Sequence, residues 1–486
     1  MAEDLTINRL ELNTPNTNLT NSLNETAAGE RNSSYRRRQI KSQASLLIVS
    51  IAFILYAGRM FRLISNYAVN IFFSDQWDFN NATLFQKHSL WQMFSWQHGP
   101  HRQGMGALFE KMIEPLFGWN SRTESFVVGA VIVVAAICAL GLKQRLYGNW
   151  SVFDIVIPAI LFIPGQWATW FNVVNFAHGP FPLLLILLYC LVWSSIRRRV
   201  KYPLLLLINF ATIYTGFGIF IGVLTPMLLL LDYGSSPRQA RLSMTHFITV
   251  LSVSLASLGS FFIGYKIRPA MDCFSFQPLS LASYSTFVGL MFANLFGIRN
   301  LTLPARLLGT MIMVGVIVLT AMLIWRLYEQ RRSKRERGYR NREIIILCLT
   351  SYTLLFCVNT AYGRLCGGLQ LALQSRYVIY VEPAVLGCYL FLVGLRQPAV
   401  RRMLLSGFVI MVVAASFYRD RIMMGFTKHV KQTWKTCYLR SENISECDKV
   451  AGFPIYSSSP EQILRSHLQD KLEYLKKTQQ NLYLNQ

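Results

Sequence analysis

Residues 44–64 read ASLLIVSIAFILYAGRMFRLI, and no charged residue interrupts them before Arg59. A helix needs roughly 20 largely apolar residues to cross the hydrocarbon of a bilayer. This stretch is long enough, and it is not alone. Residues 126–142, 153–170, 180–196, 202–231, 244–265, 307–327, 344–362, 377–395 and 403–417 are similarly apolar. The block 202–231 is too long for one span and has Gly216-Phe217-Gly218 at its middle, which reads as two short helices meeting at a turn. Residues 281–297 are weaker, with Ser and Asn in their interior. Composition agrees. Only 15% of the 486 residues are charged and 52% are hydrophobic, whereas a soluble domain has roughly 25% charged residues. The chain is therefore expected to be all-α, a polytopic membrane helix bundle of about 11 spans.

The net charge of +24 fits this reading and does not call for nucleic acid. Lys and Arg collect in the cytoplasmic loops of membrane proteins. Arg36-Arg37-Arg38 precede the first span, Arg197-Arg198-Arg199 mark a second cytoplasmic loop, and the run from Arg331 to Arg337 marks a third. For all three to lie inside, either 281–297 does not cross or 202–231 crosses once; the weaker segment is the one to drop. Residues 1–43, polar and then basic, read as a disordered cytoplasmic tail. Residues 44–417 form the membrane domain. Residues 418–486 form a small extracytoplasmic C-terminal region, in which Ser459-Pro460-Glu461-Gln462 signals a helix start and Leu464, Leu468, Leu472 and Leu475 make one apolar stripe. A multi-pass plasma (inner) membrane protein is expected, with the N-terminus cytoplasmic and the C-terminus outside.

Five of the nine cysteines, Cys138, Cys190, Cys348, Cys357 and Cys388, lie in apolar stretches and read as small buried hydrophobes. Cys437 and Cys447 lie ten positions apart in the outer region, where an oxidising compartment allows a disulfide.

The first outer loop, 73–124, is too long for a connector and is rich in polar and aromatic residues. It opens Ser74-Asp75-Gln76-Trp77-Asp78-Phe79. Asp75 and Asp78 are three apart, so on a helix they share a face. Such a pair can supply a general base or hold a divalent cation. Equally, Asp75 can cap a helix that starts at Gln76. Further on come His98-Gly99-Pro100-His101-Arg102, and near the end of the membrane domain Gly363-Arg364, Gln370 and Ser375-Arg376-Tyr377. An arginine at a span end either snorkels to headgroups or grips an anion, and its fork matches a phosphate. Arg59 and Arg62 pose the same choice. His178 with Trp167 and Trp170 reads as an interfacial belt or a sugar platform, and Lys266, Arg268 and Asp272 sit in a further outer loop. Glu382-Pro383 reads as a kinked span with a buried glutamate.

A long first outer loop that opens on an acidic pair, many spans and a soluble outer tail resemble the GT-C superfamily of membrane glycosyltransferases. The two short motifs resemble bacterial multi-pass proteins of GT-C type, with Gly99-Pro100 standing where their pattern has Asn-Glu. The resemblance covers roughly residues 44–395. It implies transfer of a sugar from a polyprenyl-phosphate carrier to an outer glycan or lipid acceptor. The catalytic carboxylate would be Asp75 or Asp78, and the phosphate would be held by Arg376 with Arg364, His101 or Arg102. Trp77, His178, Lys266 and Arg268 would line the substrate loop. The partners are the lipid bilayer, the polyprenyl-phospho-sugar and the acceptor. A divalent cation, if any, would sit at Asp75 and Asp78. The alternative is a polytopic transporter or lipid flippase.

Overall fold

The computed structural model describes residues 17–79, 89–172, 177–195, 198–236, 242–267, 271, 273–275, 280–298, 300–329, 337–418, 420–456 and 467–484. Nearly all of it is helix. In chain order the elements are α1 (Thr17–Tyr67), α2 (Gln76–Phe79), α3 (Leu90–Phe94), a hairpin of β1 (Gln97–His98) and β2 (His101–Arg102), α4 (Gly104–Ile113), α5 (Ser121–Tyr147), α6 (Val156–Leu161), α7 (Trp167–Phe171), α8 (Pro180–Trp193) and α9 (Arg198–Ile213). They continue as α10 (Ile219–Ser235), α11 (Met244–Ser260), α12 (Leu281–Leu295), α13 (Leu303–Glu329), α14 (Arg337–Arg364), α15 (Val378–Val393), α16 (Pro398–Ser416), α17 (Arg421–Ser441), α18 (Ile444–Ala451) and α19 (Leu468–Lys477).

Among the described residues, 7 helical segments are long and apolar enough to cross a membrane, and five shorter apolar helices accompany them. The protein is thus an all-α chain suited to a bilayer, and within the described residues the apolar stretches of the sequence fall on these helices. The apolar block 202–231 turns between α9 and α10. There a Cβ on Gly218 would lie 1.7 Å from the Thr212 carbonyl oxygen, so only glycine fits. The weak segment 281–297 is α12, and it is buried from Phe287 through Leu295. Its crossing with α13 is close enough that a Cβ on Gly309 would lie 2.0 Å from the Gly289 oxygen. α1 starts at Thr17, inside the stretch expected to be disordered. A single helix needs no packed core, because its backbone bonds are internal.

Two larger cores organise the described residues. The larger is the helix bundle. The smaller joins Val69–Trp77 and Trp119 to α17, α18 and α19 of the C-terminal region. That region holds both ends of the first outer loop: Ser74 N–H donates to the Ile455 carbonyl at 2.8 Å, and Asn481 N–H donates to the Gly118 carbonyl at 2.8 Å. Cys437 and Cys447 are bonded, with Cα atoms 5.5 Å apart. A second disulfide that the sequence reading missed joins Cys273 to Cys366, Cα atoms 5.8 Å apart. Cys138, Cys190, Cys348, Cys357 and Cys388 are free. At the far end of the bundle the ammonium of Lys143 meets Asp154 at 2.6 Å, both fully buried, and Arg340 meets Asp232 at 2.9 Å.

The helix-start motif at 459–462, Leu464, Arg268, Asp272 and the basic run 331–336 lie outside the described residues. Within α19, Leu468, Leu472 and Leu475 are buried.

Candidate functional site at the loop end of the bundle

The chain leaves α1 and places Asp75 at the edge of the bundle, just before α2. Ser74 adopts a left-handed conformation (φ 51°) and its hydroxyl lies 3.3 Å from the Asp75 carboxylate. The opposing charge comes from Arg376, whose Nη1 lies 3.6 Å from Oδ2 of Asp75. This is an ion pair rather than a hydrogen bond. The side chains keep 41% and 34% of their surfaces exposed, so the pair is open to a ligand. Burial opposes ionisation of Asp75, but Arg376, then His98 and His178 and the Ser74 hydroxyl, outweigh it and hold the carboxyl below its ordinary value.

Arg376 is aimed by its neighbours. Its Nε donates to the Gln374 side chain at 2.8 Å, and the Gln374 carbonyl accepts from Asn294 of α12 at 3.0 Å. The Ser375 hydroxyl accepts the Ala168 N–H at 2.8 Å. Below it, Tyr377 is buried, with the guanidiniums of Arg376 and Arg364 lying 5.7 and 6.0 Å from its ring centre. Arg364 thus joins Arg376 against one aromatic ring.

The hairpin supplies the third side. Gly99 (φ 53°) makes its turn and pairs His98 with His101. The His101 ring stacks edge-on at 4.2 Å from Phe217 and 5.8 Å from His178. Phe217 comes from the glycine turn between α9 and α10, and it also meets Tyr380 at 4.9 Å. The Tyr380 hydroxyl lies 3.3 Å from Nδ1 of His178. Burial, with the neighbouring His178 and Arg364 adding, pushes His101 well below the ordinary imidazole value. Burial, with Arg376 and His98 adding and Asp75 opposing, brings His178 down to about 3. Both rings are neutral at pH 7. His101 can offer a phosphate a neutral hydrogen bond rather than a charge.

Two expected site residues stand elsewhere. Arg102 is a clamp: its Nε donates to the Phe261 carbonyl at 2.7 Å and its two Nη atoms to the carbonyls of Ser95 and Ile263. It is buried, and its fork is turned to the backbone rather than to an anion. Trp77 is fully buried against Phe72 in the smaller core, so it does not line the substrate loop. Its large indole is better removed from water than presented to a sugar. Lys266 does join the hairpin, but through its backbone: the Gln97 amide accepts the Lys266 N–H at 3.0 Å and donates to the Lys266 carbonyl at 2.6 Å. Asp78 lies on α2, and its side chain is outside the described residues, as is Arg268. Arg59 neither snorkels nor faces the site; its Nη1 donates to the Ser416 carbonyl at 2.7 Å.

Among the described residues no group of three or more His, Cys, Asp or Glu is placed to hold a metal ion. A divalent cation wants several oxygen ligands, and a guanidinium at 3.6 Å repels one from Asp75. The described residues fit an anionic ligand better than a metal.

The chain matches no protein-family model and no curated protein.

Proposed function

We propose that the protein is a membrane glycosyltransferase that moves a sugar from a polyprenyl-phosphate carrier to an acceptor hydroxyl. The carrying observation is the meeting of Asp75 and Arg376 at an open position, with Arg364 and neutral His101 and His178 around them. The pair supplies a base and a phosphate grip at one edge of a lipid-facing bundle.

The chemistry follows from relative strengths. A partly exposed ion pair contributes only ~0–1 kcal/mol. A bidentate arginine–phosphate contact is stronger. The donor phosphate therefore takes Arg376 away from Asp75. Freed of the largest charge that opposes its burial, Asp75 gains affinity for a proton. It then accepts the proton of the acceptor hydroxyl. The acceptor oxygen bonds to the anomeric carbon, the bond from that carbon to the phosphate oxygen breaks, and the phosphate leaves with the electron pair. Arg376 and Arg364 hold the charge that develops on it. Inversion at the anomeric carbon is the outcome.

Orientation has its own support. Both disulfides lie at the Asp75 end of the bundle, one beside Arg364 and one in the C-terminal region. Disulfides persist in oxidising compartments. This end then faces outside, at the plasma membrane, and the basic run after α13 faces the cytoplasm.

Glycan analysis tests the reading in cells that lack the chain and are complemented with wild type or with Asp75→Asn. Wild type should restore a missing glycan and Asp75→Asn should not. Identical glycans with and without the chain would sink the proposal.

One observation favours the alternative, a transporter or lipid flippase. Glu382 is fully buried in α15, and both its carboxylate oxygens lack a hydrogen-bond partner among the described residues. Ionisable groups inside spans mark proton relays in pumps. A Glu382→Gln variant that abolishes function while Asp75→Asn preserves it would favour that reading.

A further inference from the structure

The opposite end of the bundle carries a second basic site. α14 has Arg364 at one end and Arg342 near the other, a separation of roughly 33 Å at 1.5 Å per residue. Around Arg342 the ends of five helices border a half-open cavity of about 420 Å³. Arg326 comes from α13, Arg342 from α14, and Arg396 from the link between α15 and α16. Two of the three guanidiniums are backed by aromatic rings. Arg342 lies 4.6 Å from the ring centre of Tyr147, and Arg326 lies 5.7 Å from that of Phe391. Stacking on a ring engages a guanidinium through its face.

The α16 N-terminus adds to this. Gln397 lines the cavity and precedes the helix, but its side chain makes no cap bond, and Pro398 has no N–H to offer. A 19-residue helix therefore opens beside the cavity with a partial positive charge. Glu329 and Glu343 share the wall, which leaves a formal surplus of one positive charge from side chains before the helix end is counted. Leu323, Ile346 and Val400 complete the lining with apolar surface.

We propose that this cavity binds a phosphate-bearing anion, and specifically the headgroup of an anionic phospholipid in the leaflet away from Asp75. Three features fit a headgroup. The arginines surround a space large enough for a phosphodiester with a small polar substituent. The apolar side of the wall reaches the surface of the bundle at Val400, which is exposed. The depth, about one bilayer core from Arg364, sets the cavity at the headgroup level of the second leaflet. Basic pockets between helix ends recognise lipids in this way. The site is separate from the proposed sugar-transfer centre and does not rest on it.

The test uses the full chain, purified in detergent and reconstituted in vesicles of phosphatidylglycerol and phosphatidylcholine mixed. Native mass spectrometry then counts the lipid that stays bound. Wild type should retain phosphatidylglycerol over phosphatidylcholine, and Arg326→Gln/Arg342→Gln/Arg396→Gln should retain it at least about tenfold less. Arg396→Gln alone, at an exposed helix junction, keeps the aromatic contacts of the other two arginines and should give a smaller loss in a protein that unfolds at the wild-type temperature. Equal retention in wild type and both variants would overturn the site. Displacement of the bound lipid by millimolar inorganic phosphate, with no preference between the two phospholipids, would overturn the lipid assignment in favour of a free phosphate.

Discussion

Asp75 stands under two opposed influences, and the winner sets its chemistry. Burial favours the protonated form; Arg376, His98 and His178 favour the carboxylate and prevail. With a depressed folded value, the stabilisation from the pair is complete above the ordinary aspartate value of about 3.9 and is lost as pH falls through the lower folded one. On the proposed sugar transfer, the acid limb of kcat/KM should therefore lie below the ordinary aspartate range. Arg376→Gln removes the largest of the influences that oppose burial, so in its residual activity that limb should move up; an unmoved limb would show that Arg376 does not face Asp75. The sequence named both residues by type and place, but not their ion pair, which depends on Gln374 and on Asn294 in the segment that the sequence reading dropped as the weakest span. Arg102 shows the opposite failure. Its motif position suggested an anion, while its actual acceptors are three carbonyls that no spacing reveals.

Pro383 in α15 has no N–H and crowds the preceding turn, so the helix must open there. The Thr353 hydroxyl of α14 enters the gap, donating to the Tyr380 carbonyl at 3.0 Å and accepting the Ala384 N–H at 3.1 Å. This bond fixes Tyr380, and through it His178, in the site wall. Thr353→Val leaves two buried backbone groups without their partner and should destabilise the fold by about 2 kcal/mol. Thermal unfolding in detergent measures it, and Thr353→Ser should recover most of the loss; a neutral Val variant would show that the bridge is dispensable. Existence of the helices was legible because transfer of apolar residues from water is a local property of the sequence. Their pairing was not. The Cys273–Cys366 bond spans 93 positions and joins two loops that sequence pattern left separate. The proline and the buried glutamate inside α15 were legible, but the hydroxyl bridge beside them was not.

At the scale of the molecule, the C-terminal region is the support of the first outer loop. The Lys471 ammonium donates to the Trp77 carbonyl, and Asn481 holds Asn70, Gly118 and Trp119. Removal of residues 421–486 should leave the helices inserted but expose Trp77 and Phe72, loosen Asp75 and abolish function. Limited proteolysis in vesicles would show new cleavage around residues 73–79; an uncut loop would show that α17 to α19 are not needed to hold it. The sequence set this region outside as a separate tail, since only the fold brings its leucines onto the loop's indole. The central claim is that Asp75 and Arg376 together transfer a sugar. Its direct measurement is release of polyprenyl phosphate from a polyprenyl-phospho-sugar by the purified chain in the presence of an acceptor, wild type against Asp75→Asn. We expect release by wild type, reduced by about 10²–10⁴-fold in a folded Asp75→Asn protein. Release at equal rates by both proteins would contradict it.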